Sequence, residues 1–175
     1  EGINAVAAGG TVNVAAGTYN EGILLNKPNV TVKATDGAQT TFINTPAGTL
    51  TVGVQVLANM GTVTFDGFTV QNFTESGIVQ GMASAVGTTF HVRNNVVTPA
   101  AGYLRNGIQV SGDGSTVIGN TVNGAPLTDS WASSGILAVN GSNILIEGNT
   151  ILGGTLGLDI GIGVQSWSVN AADVI

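Results

Sequence analysis

Val92-Arg93-Asn94-Asn95-Val96-Val97, Val117-Ile118-Gly119-Asn120-Thr121-Val122 and Ile146-Glu147-Gly148-Asn149-Thr150-Ile151 spell one motif three times. A fourth copy, Phe65-Asp66-Gly67-Phe68-Thr69-Val70, has Phe where the others have Asn. The key positions 68, 95, 120 and 149 lie 27, 25 and 29 residues apart. A Gly-Ile step follows each copy, at Gly77-Ile78, Gly107-Ile108, Gly135-Ile136 and Gly161-Ile162, with spacings of 30, 28 and 26. A loose period of this length marks a coil whose corners tolerate insertions, as in solenoids and repeat arrays.

Each copy carries two short β-branched runs. Thr89-Phe90-His91-Val92 and Asn143-Ile144-Leu145-Ile146 lead into the Asn corner, and Ile108-Gln109-Val110-Ser111 and Ile136-Leu137-Ala138-Val139 follow the Gly-Ile step. Such runs are too short for helices. One coil of two or three short strands, repeated, predicts a parallel β-solenoid with strands stacked at about 4.8 Å. Asn tolerates a left-handed backbone at a sharp corner. Stacked inward amides can also hydrogen-bond along the axis. Asn95, Asn120 and Asn149 are therefore expected to form a structural ladder that Phe68 caps.

Composition narrows the function. Of 175 residues only 8% are charged, 43% are hydrophobic, 27 are Gly and the mean hydropathy is +0.36. Val, Thr, Asn and Gly make up about half the chain, and all four are poor helix formers. The formal charge is −6. No basic stripe is available for phosphates, so no nucleic-acid partner is expected. No apolar run is long enough to cross a bilayer as a helix, so no membrane insertion is expected. Cysteine is absent, which removes disulfides and thiolate metal sites. The lone His91 lacks the usual partners of a zinc site. No calcium-binding repeat occurs either, so neither metal nor cofactor is expected. Asn29-Val30-Thr31, Asn72-Phe73-Thr74 and Asn140-Gly141-Ser142 match the glycosylation acceptor pattern, which chance produces readily in so Asn- and Thr-rich a chain.

The first 45 residues differ. Gly2 to Ala8 predicts a short helical cap with Ile3, Val6 and Ala7 on one face, covering the open end of the first coil. Thr11–Val14, Ile23–Leu25, Val30–Val32 and Thr41–Ile43 read as strands, and Ala15–Tyr19 as a turn. Here the run Ile3-Asn4-Ala5-Val6, Gly9-Gly10-Thr11-Val12-Asn13-Val14, Gly17-Thr18-Tyr19-Asn20-Glu21 and Ile23 resembles the N-terminal signature of right-handed parallel β-helix proteins, the pectate-lyase-like superfamily. The later Gly-Asn-Thr-Ile and Gly-Ile copies are similar to the β-helix repeat of carbohydrate-binding and sugar-hydrolase proteins. The resemblance spans essentially the whole chain and implies the fold more strongly than the activity. The superfamily includes pectin methylesterases, lyases, glycoside hydrolases, epimerases and adhesins. The opening is similar to pectin methylesterases in particular. The Gln-Asp dipeptide of those enzymes is missing, no Arg follows Arg105, and the nearest echo of their second Asp is Leu158-Asp159-Ile160-Gly161. No esterase residue carries over.

Two constellations remain. Counting back from the corner places Asp66, Arg93, Ile118 and Glu147 in one outward column and Thr64, His91, Thr116 and Leu145 in another. Asp66, His91 and Arg93 would then form a small polar group, an acid, a base and a cation on one face, or an ordinary exposed ion pair beside a solvated histidine. The longer inserts, Pro99–Asn106 and Asn123–Ser134, bring Tyr103 and Arg105 towards Asp129 and Trp131. Aromatic platforms with nearby polar groups are suited to sugars, so these four are the candidate carbohydrate-binding residues. Trp167 is expected in the core or at an interface. The end, Ala171–Ile175, shows no recognisable cap, as in a fragment of a longer protein or a coil that pairs with another subunit. The sequence thus predicts one all-β domain over residues 1–175, a right-handed parallel β-helix of six or seven coils with a cap at residues 1–8. The expected role is an extracellular or cell-surface scaffold whose partner is a polysaccharide or cell-surface glycan, without catalysis in this segment. The alternatives are a polysaccharide lyase or hydrolase, and a structural subunit that self-assembles through its C-terminal coil.

Overall fold

The computed structural model describes residues 2–48, 51–100, 105–124, 133–153 and 160–165. The chain enters through α1 (Gly2–Ala5) and then winds three strands per coil. The first coil is β1 (Thr11–Val14), β2 (Gly17–Tyr19) and β3 (Ile23–Leu25), and the second is β4 (Thr31–Ala34), β5 (Thr41–Asn44) and β6 (Val52–Val56). Next come β7 (Gly61–Asp66), β8 (Thr69–Gln71) and β9 (Ser76–Val79), then β10 (Thr88–Arg93), β11 (Val96–Thr98) and β12 (Asn106–Val110). The last two coils are β13 (Thr116–Ile118), β14 (Thr121–Asn123) and β15 (Ser134–Val139), then β16 (Leu145–Glu147), β17 (Thr150–Leu152) and β18 (Ile160–Gln165). Every third strand pairs in parallel with its equivalent in the next coil. The result is three six-stranded sheets: A (β1, β4, β7, β10, β13, β16), B (β2, β5, β8, β11, β14, β17) and C (β3, β6, β9, β12, β15, β18). This is an all-β parallel solenoid with a short N-terminal helix.

The inward side chains form three aliphatic columns. Register places Val12, Val32, Phe65, Val92, Val117 and Ile146 in line on sheet A. Sheet B contributes Tyr19, Ile43, Val70, Val97, Val122 and Ile151. Sheet C contributes Ile23, Val54, Ile78, Ile108, Ile136 and Ile162. The middle members of each column are fully buried, each stabilising by roughly 1.5–3 kcal/mol. Ile3 and Val6 of the cap pack on this core. Ala7 is exposed because the helix stops at Ala5 and the chain turns through Gly9 at φ 80°. The run Ala15–Tyr19 is not a turn throughout. Gly17–Tyr19 form β2, paired to Thr41–Ile43, and only Ala15 and Ala16 make the corner.

The Asn ladder forms. Asn149 Oδ1 accepts from the Asn120 backbone N–H at 2.8 Å and its Nδ2 at 3.0 Å, and Asn120 Oδ1 accepts from Asn95 N–H at 2.9 Å and Nδ2 at 3.1 Å. Asn95 Oδ1 in turn accepts from Phe68 N–H at 2.9 Å, and Phe68 ends the column by stacking on Phe65 with ring centroids 4.4 Å apart. The amides also donate inward, Asn95 to Phe65 O, Asn120 to Val92 O and Asn149 to Val117 O. The left-handed residue is not the ladder Asn but the one before it: Gly67, Asn94, Gly119 and Gly148 all have φ between 54° and 85°. The left-handed step turns the chain, and the turn aims the next side chain into the core. Asn29, Asn72 and Asn140 are left-handed corner residues too, with φ of 57°, 64° and 59°. The acceptor-like triplets therefore arise where a corner Asn precedes a strand or loop rich in Thr and Ser.

The Gly-Ile steps form a second column. A Cβ on Gly107 would fall 2.4 Å from Val122 Cγ1 and 2.6 Å from the Gly135 carbonyl oxygen, and Gly53, Gly77 and Gly135 are equally crowded. Gln80, fully buried, pins the corner from sheet C to sheet A. It accepts from the Ser111 and Gly112 N–H groups and donates to Thr88 O at 2.8 Å.

Three substitutions test this account by thermal melting. Asn120→Leu leaves the Asn95 N–H and amide without their acceptor, and is expected to cost on the order of 2 kcal/mol or more. Gly107→Ala is expected to cost about 1–3 kcal/mol through overpacking. Thr41→Val should instead stabilise by about 1 kcal/mol and so raise the melting temperature, because the fully buried Thr41 Oγ1 has no hydrogen-bond partner among the described residues.

Candidate functional site

Both outward columns on sheet A form in the expected register. Lys33, Asp66, Arg93, Ile118 and Glu147 stand in line, as do Thr31, Thr64, His91, Thr116 and Leu145. Asp66 and Arg93 are thus neighbours, yet among the described residues they make no ion pair. Asp66 Oδ1 accepts from Asn94 Nδ2 at 2.9 Å. The Arg93 stem is half-buried on the sheet, and its Nε is buried without a hydrogen-bond partner among the described residues. His91 Nδ1 lies 2.9 Å from Thr116 Oγ1. Burial, and then the Arg93 guanidinium beside it, hold the imidazole below its ordinary pKa. A low-pKa imidazole hydrogen-bonded to a threonine is a neutral group in a polar row. Its aligned neighbour on the preceding coil is Thr64, and Asp66, aligned with Arg93, is engaged with Asn94.

Of the four candidate sugar residues, Tyr103, Asp129 and Trp131 lie outside the described residues, as does Trp167. Arg105 immediately precedes β12, at the corner from sheet B to sheet C. Its Nη1 contacts Glu75 Oε1 at 3.3 Å, with side-chain exposures of 58% and 28%, so the pair contributes about 0–1 kcal/mol. Its backbone is fixed by Arg105 N–H to Glu75 O at 2.7 Å and Ser134 N–H to Arg105 O at 3.0 Å. Arg105 is therefore a rung residue tied to the preceding coil. Among the described residues no three acidic or histidine side chains gather to hold a metal ion, and no helix is long and apolar enough to cross a membrane.

A different set of polar residues stands together on sheet B. Asn44 Nδ2 donates to Asn20 Oδ1 at 2.6 Å. Asn44 Oδ1 accepts from Gln71 Nε2 at 3.5 Å and from Asn72 Nδ2. Further along, Asn123 Nδ2 donates to Thr98 Oγ1 at 2.9 Å. Gln71, Thr98 and Asn123 each sit three residues after the corner position held by Phe68, Asn95 and Asn120, so the row shares the period of the repeat although its residue types differ. Phe42 lies beside it, half-buried, between Thr18 and Thr69 in the neighbouring column. No strand of sheet B or sheet C contains Asp, Glu, His, Lys or Arg, whereas sheet A carries Lys33, Asp66, His91, Arg93 and Glu147.

No family model, curated protein or solved structure matches the chain.

The sign of the His91 shift gives a prediction. His91 binds its proton more weakly in the fold than in the unfolded chain. Acidification below about pH 6.5 therefore favours unfolding, and this loss of stability continues until the pH passes the lower folded value. His91→Gln keeps a partner for Thr116 and removes the titration. Its melting temperature should depend less steeply on pH between about 7 and 5 than that of the parent; parallel profiles would show that His91 is not responsible.

Proposed function

We propose that this chain is a surface scaffold of the extracellular space that associates with carbohydrate and does no chemistry of its own in the described segment. The reading takes it as a member of the right-handed, pectate-lyase-like group of β-helices, and adhesin-like association with a cell-surface glycan falls within it. The observation that carries the proposal is that the described strands of sheets B and C hold no Asp, Glu, His, Lys or Arg, and that sheet B sets amides and hydroxyls in register instead. Neutral amides match sugar hydroxyls as donors and acceptors. General acid–base catalysis needs titratable groups within reach of the reacting bond. Several of the titratable groups are engaged with neighbours, His91 with Thr116 and Asp66 with Asn94 on sheet A, and Arg105 with Glu75 at the corner between sheets B and C. Retention of the protein on an insoluble polysaccharide, with no new reducing ends or unsaturated products released, is the expected result. Turnover of any bound polymer would favour the lyase or hydrolase alternative, and no retention across cellulose, chitin, xylan and pectin would remove the reading.

One observation favours a second reading, self-assembly through stacked coils. Ile162 and Val164 of β18 occupy inward positions, aligned with Ile136 and Ala138, yet are 51% and 49% exposed. Apolar core residues beside a strand edge that no described strand pairs form a template for another β-coil. Light scattering after size-exclusion chromatography decides it. A mass that rises with concentration supports stacking, and a constant monomer mass overturns it.

A further inference from the structure

We infer that the outer face of sheet B over its first three rungs is a binding site for a neutral polysaccharide, with Phe42 as the platform and Asn20, Asn44, Gln71 and Asn72 as the hydroxyl-binding row. The inference rests on the carbohydrate reading above and adds to it a place and a class of ligand. Three features support it. Phe42 is the aromatic side chain of the outward column on this face, aligned with the exposed Thr18 and with Thr69, whose buried hydroxyl donates to Ala38 O, and an apolar ring face beside polar groups is how a pyranose is held. The carboxamides beside it are fixed by one another: Asn44 donates to Asn20 and accepts from Gln71 and Asn72. Each carboxamide has two donors and two acceptor lone pairs. The contacts among the described residues use only part of that capacity, so the row is held in place with polar sites still turned outward. Little side-chain entropy is then lost when hydroxyls dock.

Charge decides the class of polymer. The strands of sheet B hold no Asp, Glu, His, Lys or Arg, and most charged residues bordering these rungs are carboxylates. Glu21 follows Asn20, Asp36 stands at the corner before β5 with its Oδ2 accepting from Thr35 Oγ1 at 2.7 Å, and Glu75 stands at the corner after β8, offset by its pairing with Arg105. In a chain of net charge −6, this rim repels uronate polymers and leaves neutral ones unopposed. The parallel rungs, about 4.8 Å apart, present the same amide position repeatedly along the solenoid axis. An extended chain lying along the axis would meet Asn20, Asn44 and Gln71 in turn.

The test is affinity electrophoresis of the whole chain in native gels containing hydroxyethyl cellulose, with polygalacturonate as the anionic comparison. The parent should be retarded by the neutral polymer and not by polygalacturonate. Phe42→Ala and Asn44→Ala should each weaken retardation by about fivefold to tenfold, while Glu147→Ala, on sheet A, should not. Thr18→Glu changes an exposed position beside Phe42, so it places a charge on the face without touching the core; it should abolish retardation with the melting temperature retained. Retardation by the neutral polymer that ignores Phe42, Asn44 and Thr18 would overturn this site while leaving the carbohydrate reading intact. Stronger retardation by polygalacturonate would overturn the ligand class. No retardation in either gel, together with no retention on insoluble polysaccharide, would remove both. A change of oligomeric state in Thr18→Glu would assign the face to a second copy of the chain and overturn the inference.

Discussion

The fold depends on the inward carboxamide column at the corner between sheets A and B. A solenoid stacks rungs whose pairing could in principle slip, and a one-residue slip would turn every core side chain outward. Asn95 and Asn120 are almost wholly buried, and each is paired along the axis with its equivalent in the next coil. A slipped rung would leave these amides and the backbone N–H groups they serve unsatisfied in the core, at a cost comparable to much of a domain's net stability. The aliphatic columns supply most of the stabilisation, but they are nearly interchangeable from rung to rung. The amide column distinguishes correct register from incorrect register.

The same constraint governs the corners. Turning the chain so sharply requires a left-handed residue, which Gly67, Asn94, Gly119 and Gly148 provide. At the step into sheet C the coils approach so closely that only glycine fits, as at Gly77, Gly107 and Gly135. Glycine and asparagine are abundant here for geometric reasons, and their abundance says nothing by itself about a ligand. The low charge content has a related origin. Parallel strands stacked in register place each side chain directly beside its equivalents, so like charges would line up. Charges survive on sheet A where signs alternate, as in Lys33, Asp66 and Arg93, and otherwise at the corners. Among the described residues, the strands of the other two sheets carry no charge, and it is there that binding is proposed.

Much of the architecture was readable because the repeat makes it so. Residues at equal distances from the corner must stand side by side once the coils stack, and the columns through Asp66, Arg93 and His91 do. Other features depended on geometry that spacing does not carry. Which of two adjacent asparagines, Asn94 or Asn95, takes the left-handed step is decided by which side chain the core can pair. That Gly17–Tyr19 pair as a strand follows from the partner Thr41–Ile43 and not from local preference. Adjacency of Asp66 and Arg93 did not make an ion pair, because Asn94 is a nearer partner for the carboxylate and the Arg93 stem lies against the sheet. The amide row on sheet B shares the period of the ladder but was hidden by its mixed membership of Asn, Gln and Thr, which only a common hydrogen-bonding chemistry unites.

The sequence by itself determined the class of fold, the identity of the ladder and the pairing columns, since these follow from a period and from the steric needs of glycine and asparagine. The tertiary structure alone decided which polar groups meet. His91 turned to Thr116, Arg105 to Glu75 and Asn44 to Asn20 and Gln71. The physical reason is that register sets which backbones are neighbours, whereas a side chain several bonds long chooses among several partners within reach. That choice is settled by burial, by charge and by the hydrogen bonds left open once the backbone is in place.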